Sequence, residues 1–304
     1  KNKIELEINK PTFMVGTSSL KSDIKSSPTQ DIFKANSYYE IVDSPFMYAK
    51  ADTTLLKIGN VEIVISLFSP NKTLISEEIA QKIKPLLEAQ KNYLGGNLPI
   101  QRYAFLIILS DNLKNGSYGA LEHAKSSFYY LPEGDITGLG QTILDICAHE
   151  FFHIVTPLTV HSNEIQYFDF NNPQMSEHLW MYEGVTEYFA NLIKYKGGVI
   201  SPEEYLNEMG DKLVQGLDFP ITEMSFTEMS SNVLEEKYHE HYGQVYQRGA
   251  VLAMLLDAEI QRLTSGKKSL IDVMLTLNAR YGANKSFDES TFIAELVNEV
   301  HPEL

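Results

Sequence analysis

The sequence predicts an α+β protein. Strand-like segments crowd the chain up to Leu131, and helical periodicity dominates from Gly138 to the end. Strands first and helices after is the α+β order rather than the alternating α/β order. With 304 residues, 43% of them hydrophobic, the chain can bury a core without covalent staples.

Ile4, Leu6 and Ile8 alternate as in a half-buried strand, and Val61–Phe68 (VEIVISLF) is the strongest strand in the sequence. Between them, Thr17–Gln30 is rich in Ser, Lys and Asp and reads as a surface loop. Ser76–Tyr93 has an amphipathic helical pattern, with Glu77 and Glu78 in its first turn and Gly95-Gly96 as its stop. Tyr103–Leu109 (YAFLIIL) reads as a buried strand; Gly116–His123 (GSYGALEH) and strand-like Ser127–Leu131 follow. Helices are expected over Gln141–Val155, stopped by Pro157, and over Glu177–Tyr195, closed by Gly197-Gly198. Four more are expected at Pro202–Val214, Tyr242–Leu263, Ser269–Tyr281 and Ser290–Val300.

Composition narrows the function. The formal net charge of −15 repels phosphate backbones and anionic lipid, so nucleic acid is not an expected partner. No apolar run is long enough for a transmembrane helix, so a soluble protein is expected, cytoplasmic or periplasmic/secreted. The chain begins at Lys1 rather than Met and reads as a mature or trimmed chain. Cys147 is the sole cysteine, which excludes an internal disulfide and a thiolate metal cluster. Any metal must be held by His and carboxylates.

Such a set is present. His149-Glu150-Phe151-Phe152-His153 is H-E-x-x-H inside a helical pattern. Residues four apart share one helix face, so both imidazoles converge on one ion, and Glu150 can reach a water on it as general base. A catalytic zinc needs a third protein ligand and one open position. The metzincin arrangement fails, because Thr156 and Thr159 stand where it needs Gly and His. A Glu on the next helix is the alternative. In Trp180–Phe189 (WMYEGVTEYF), Glu183 is the expected ligand, and Glu187, one turn on, is expected to orient a ligand His.

HEFFH followed by MYEGVTEY, with 29 residues between His153 and Glu183, resembles the glycyl aminopeptidase family. These gluzincins often carry a PDZ domain and are related to thermolysin and to larger zinc aminopeptidases. Two further segments carry the resemblance. Gly119-Ala120-Leu121-Glu122-His123 resembles the exopeptidase motif, which implies an edge strand beside the zinc, with Gly119 and Ala120 in backbone contact with substrate and Glu122 on its free α-amino group. Tyr246-Gln247-Arg248-Gly249 resembles the family's Y-x-K-G, which implies that Tyr246 stabilises the oxyanion. Tyr242 is its nearest competitor, and Arg248 replaces the usual Lys. Tyr38–Met47 resembles the family's D-S-P segment; Asp43 is read there as a turn acid.

The resemblance spans Tyr38 to Arg262. It implies a thermolysin-like catalytic domain over 51–200, a mixed sheet with the HExxH and Glu helices. A β-rich segment over 1–50, the remnant of a fuller β-domain, precedes it, and a helical subdomain over 201–304 carrying Tyr246 follows. It implies one Zn2+ per chain, a peptide substrate with a free N-terminus, and removal of small residues, Gly or Ala. A thermolysin-like endopeptidase, a non-catalytic peptide-binding module and hydrolysis of a non-peptide such as an epoxide are the rival readings. His161 and His178 are read as ordinary histidines, His239 and His241 as a solvated loop or helix edge with a substrate-rim role near Tyr246 as the alternative, and Cys147, Met254 and Met274 as core.

Overall fold

The computed structural model describes residues 3–113, 118–166, 168–169, 171–219 and 224–304. The first part of the expected GSYGALEH segment, 116–117, lies outside them. The chain forms two compact units, Lys1–Phe151 and Phe152–Leu304. The division falls inside the H-E-x-x-H segment. The three-part organisation expected from the sequence stays a proposal.

The first unit contains β1 (Ile4–Asn9), β2 (Val15–Thr17), β3 (Gln30–Ala35), α1 (Tyr38–Val42), β4 (Met47–Ala49), β5 (Asp52–Ile58), β6 (Val61–Phe68) and α2 (Ser76–Tyr93). β7 (Arg102–Ser110), β8 (Gly119–His123), β9 (Ser126–Pro132) and α3 (Ile136–Phe152) complete it. Two small antiparallel pairs, β1–β3 and β2–β4, precede a five-stranded mixed sheet of order β5-β6-β7-β9-β8. β6, β7 and β9 run parallel, and the edges β5 and β8 run antiparallel to their neighbours. Helix α2 makes the crossover from β6 to β7, as a parallel pair requires.

The buried strands read as continuous apolar runs because both faces of the sheet are covered. Tyr103 and Phe105 stack against Phe151 of α3 on one face. Val64, Ala104 and Leu106 pack with Met47 on the other. Helix α2 begins where Asp52 Oδ2 accepts from Ser76 N at 2.6 Å, and the Glu78 carboxylate accepts from Ile75 N at 3.1 Å. These bonds satisfy amide groups that no helix can pair at its own start.

The second unit contains α4 (Asn163–Gln166), a π-helical turn (Trp180–Val185), α5 (Thr186–Lys196), α6 (Pro202–Leu217), α7 (Phe226–Ser231), a 3₁₀ turn (Glu236–His241), α8 (Gln244–Leu263), α9 (Leu270–Arg280), a second 3₁₀ turn (Gly282–Asn284) and α10 (Glu289–Val300). α8 packs against the π-helical turn, α5, α6 and α9. Asp257 of α8 is buried and bivalent. It accepts from Tyr188 Oη at 2.6 Å and from Leu270 N, at the start of α9, at 2.7 Å. Two ion pairs tie α5 to α6, Lys194–Glu208 at 3.0 Å and Glu187–Lys212 at 2.5 Å.

Several elements depart from the sequence reading. α3 starts at Ile136 rather than Gln141 and ends at Phe152 rather than Val155. Pro157 cannot continue a helix, and the chain leaves through consecutive turns, so His153 stands one residue past the helix. The single helix expected over Glu177–Tyr195 is a π-helical turn followed by α5. His241, read as solvated, is 5% exposed, because the 3₁₀ turn tucks it beneath the start of α8. His239 is exposed as expected.

Candidate metal centre and substrate edge

α3 is positioned by its carbonyls as well as its apolar face. The last carbonyls of a helix lack helical partners. Here Gln90 Nε2 donates to Ala148 O at 2.8 Å, and the buried Tyr103 hydroxyl donates to Glu150 O at 3.2 Å. Burial holds the Tyr103 phenol well above its usual range, so it remains a donor. Cys147 is fully buried in the same helix, and burial pushes its thiol up to about 12; it is core, as expected.

In the second unit the His153 ring is fixed by its own chain. Nδ1 bonds to the Thr156 carbonyl at 2.9 Å, so this nitrogen carries the proton and Nε2 presents a lone pair. Nε2 lies 3.7 Å from Glu183 Oε2. Two acceptors facing each other at this distance suit a cation between them. Both residues are buried, and His149, four residues before His153 in the sequence, is buried near the end of α3. Nitrogen–nitrogen–carboxylate donors match zinc. Glu183 sits in the π-helical turn, where one extra residue re-aims side chains relative to an α-helix.

The close approach of the π-helical turn and α8 depends on two glycines. A Cβ on Gly184 would stand 2.6 Å from the Gly249 carbonyl carbon, and one on Gly249 would stand 3.1 Å from Gly184 Cα. The glycines of YEGVTEY and YQRG are therefore one device, seating the Glu183 and Tyr246 segments backbone to backbone. Gly184→Ala is expected to cost about 1–3 kcal/mol through overpacking, with Gly249→Ala milder. Urea unfolding of both variants measures this; an unchanged midpoint for Gly184→Ala would show that the two elements separate freely.

Glu122 lies on β8, at the edge of the five-stranded sheet and opposite Ser127 of β9. β8, which carries Gly119, Ala120 and Glu122, is an edge strand. Within this unit, carboxylate oxygens of Glu122 and Glu150 lie within 4.8 Å of one another. Two carboxylates this close form a locus that favours a cation such as an ammonium. Asp43, read from the sequence as a turn acid, anchors this edge: its carboxylate meets His123 Nδ1 at 3.1 Å and accepts from Ala124 N at 3.1 Å. It fixes the β8–β9 turn directly after Glu122.

Residues 142–252 match the family described as M61 glycyl aminopeptidase. That segment of the chain is similar to the M61 glycyl aminopeptidases. No curated protein matches the chain. Among solved structures, an aminopeptidase N family protein from Idiomarina loihiensis is similar with a TM-score of 0.81 and 20% identity, covering 97% of this chain and 53% of that one. An M1 zinc metallopeptidase from Deinococcus radiodurans gives 0.62 at 12% identity, covering 99% and 61%. Native yeast LTA4 hydrolase gives 0.64 at 13% identity, covering 97% and 43%. The chain thus spans about half the length of the Idiomarina protein. At these identities the likeness is one of fold: a mixed α+β architecture, β-rich first and helical after.

Two residues of the matched segment have uses that the sequence did not reveal. Arg248 does more than keep the positive charge of the family's Lys. Its guanidinium donates to Gly216 O at 2.7 Å, Phe219 O at 2.6 Å and Gln244 Oε1 at 3.1 Å, closing the C-terminal end of α6. A lysine ammonium cannot reproduce that fork. Glu187 pairs with Lys212 and accepts from Asn191 Nδ2 at 3.3 Å, while His153 takes the Thr156 carbonyl as its orienting partner.

His161 and His178 are buried histidines with structural partners, in keeping with the ordinary reading. His178 is buried against Phe287 and Phe292, accepts from Trp180 Nε1 at 3.1 Å and meets Glu289 at 3.4 Å. Burial lowers its ring to about 4, so it is neutral near pH 7. Tyr182, beside Glu183, accepts from Ser162 N and Ser176 Oγ, both at 3.0 Å. Phe287 N donates to His161 O at 2.9 Å. This polar knot fastens the segment between His153 and Glu183 to the start of α10. No described helix is long and apolar enough to cross a membrane.

Proposed function

We propose that the protein is a zinc-dependent aminopeptidase that removes small N-terminal residues, Gly or Ala, from peptides, on a thermolysin-like catalytic domain. The facing of His153 Nε2 and Glu183 Oε2 at 3.7 Å, with His149 four residues earlier in H-E-x-x-H, carries this reading. These three residues would hold the ion. When bound, zinc supplies a Lewis acid that acidifies water and polarises a scissile carbonyl.

The chain's own groups do the rest. Glu150 accepts the proton of the attacking water and returns it to the leaving amine. The Tyr246 hydroxyl donates to the developing oxyanion. Glu122 takes the substrate ammonium, and charge-assisted bonding there sets the register at one residue. Gly119 and Ala120 offer backbone groups on a strand edge, which suits an extended peptide. Glu187, one turn after Glu183, is held by Lys212 and keeps α5 on α6.

The test compares release of amine from Gly- and Ala-anilides with release from their N-acetylated twins, with and without a chelator. Cleavage of the free-amine forms only, abolished by chelation, is expected. Glu122→Ala is expected to lower kcat/KM for free-amine substrates by about 10–100-fold, the loss of one charge-assisted bond, and to leave acetylated substrates unaffected. Equal cleavage of blocked peptides would replace this reading with an endopeptidase. A zinc-loaded protein inert to both would be a peptide-binding module.

A further inference from the structure

The hydroxyls of Tyr242 and Tyr246 are 2.8 Å apart. Their rings meet edge to face, with centroids 5.6 Å apart and planes at 83°. The two residues stand four apart across the start of α8, so one helical turn brings them together. Their backbones are held too. Val245 N donates to Tyr242 O at 3.1 Å, and Tyr246 N donates to Gly243 O at 3.3 Å. Gly243 between them has no room for a side chain, since a Cβ would stand 2.7 Å from the Phe219 ring. Phe219 is itself held through its carbonyl by Arg248. The turn is clamped from both sides.

Each phenol has one proton to give. If Tyr242 donates to the Tyr246 oxygen, the Tyr246 proton is directed out of the pair rather than into it. Bonds in such a chain polarise one another, so the outward donor becomes stronger. The site is also the N-terminal end of a 20-residue helix. The helix dipole favours negative charge near this end.

We propose that Tyr242 is a positioning residue for the reaction: its hydroxyl donates to the Tyr246 oxygen and holds the Tyr246 proton toward the oxyanion. This rests on the reading of Tyr246 as the oxyanion donor. Tyr242 does not itself touch the reacting atoms. The motif segment Tyr-Gln-Arg-Gly then begins one turn earlier, at Tyr242.

The experiment is a double-mutant cycle on the zinc-loaded protein with a Gly-anilide substrate: Tyr242→Phe, Tyr246→Phe and the pair. Both changes keep the ring and remove one oxygen. Tyr246→Phe is expected to lower kcat by about 10²–10³-fold, as for one oxyanion donor. Tyr242→Phe is expected to lower kcat by about 3–30-fold, the range of one neutral hydrogen bond and its coupling, with KM little changed. In the Tyr246→Phe background the second change is expected to have almost no effect.

Two further readouts separate positioning from folding. The melting temperature and zinc content of Tyr242→Phe should match the parent. Its affinity for a phosphinic dipeptide, a tetrahedral mimic, should fall by the same factor as kcat. An equal loss in both backgrounds would overturn the proposal, and so would no loss in either. Full activity of Tyr246→Phe would instead remove the oxyanion reading of Tyr246, and with it the role of Tyr242.

Discussion

Glu150→Gln is expected to keep its zinc and lower kcat by about 10²–10⁴-fold, the span of general base catalysis. The change is nearly isosteric. It leaves untouched the backbone carbonyl of Glu150 that Tyr103 holds, and the Phe151 ring that packs on Tyr103 and Phe105. The helix that presents His149 therefore keeps its supports. The amide can still occupy the carboxylate's place beside Glu122, but it cannot take a proton near pH 7. Zinc stoichiometry by plasma mass spectrometry and kcat on Gly-anilide measure the two halves of the expectation. A variant with full turnover would sink the mechanism, whatever its metal content. A variant that lost zinc as well would move Glu150 into the ligand set.

His153→Ala and Glu183→Ala should each take zinc content from one per chain to near zero, with activity falling to background. Both side chains come from the second unit, and their facing acceptor atoms at 3.7 Å leave one lone pair unmatched when the other is deleted. A ligand at 1,000 times its dissociation constant stabilises a folded protein by about 4 kcal/mol. Chelation of the parent should therefore lower its melting temperature by several degrees, and zinc should restore it. The two variants should melt where the chelated parent melts and should not respond to added zinc. A variant that still bound one zinc tightly would take its residue out of the ligand set. Parent protein indifferent to both chelator and zinc would remove the metal from the reading.

The motif residues were legible because their chemistry is local. H-E-x-x-H is read within five consecutive residues, although His153 stands one residue past α3, and Glu122 is read within one strand. The strand at Val61–Phe68 and the helix at Ser76–Tyr93 were legible for the same reason, since apolar periodicity and terminal residues are read within one element. Short β4 and β5 escaped notice. Met47–Ala49 has too few residues for a pattern, and Asp52–Ile58 exposes Thr53 and Leu55 on a sheet edge. The π-helical turn escaped because its signal is a single additional residue within an otherwise helical run. His241 and His178 look like any histidine until partners distant in sequence cover them.

The sequence by itself determined the α+β order, the exclusion of thiolate metal chemistry and the set of residues that could hold an ion. Each follows from composition or from spacing within one turn of chain. Tertiary structure alone decided how those residues are used. It joined Gly184 to Gly249, which lie far apart in the chain and meet only because neither has a side chain. It set Arg248 on the end of α6, Asp43 on the turn after Glu122, and the Thr156 carbonyl behind His153. These are hydrogen bonds and close packings whose energy depends on tenths of an ångström, and only the folded chain fixes distances that finely.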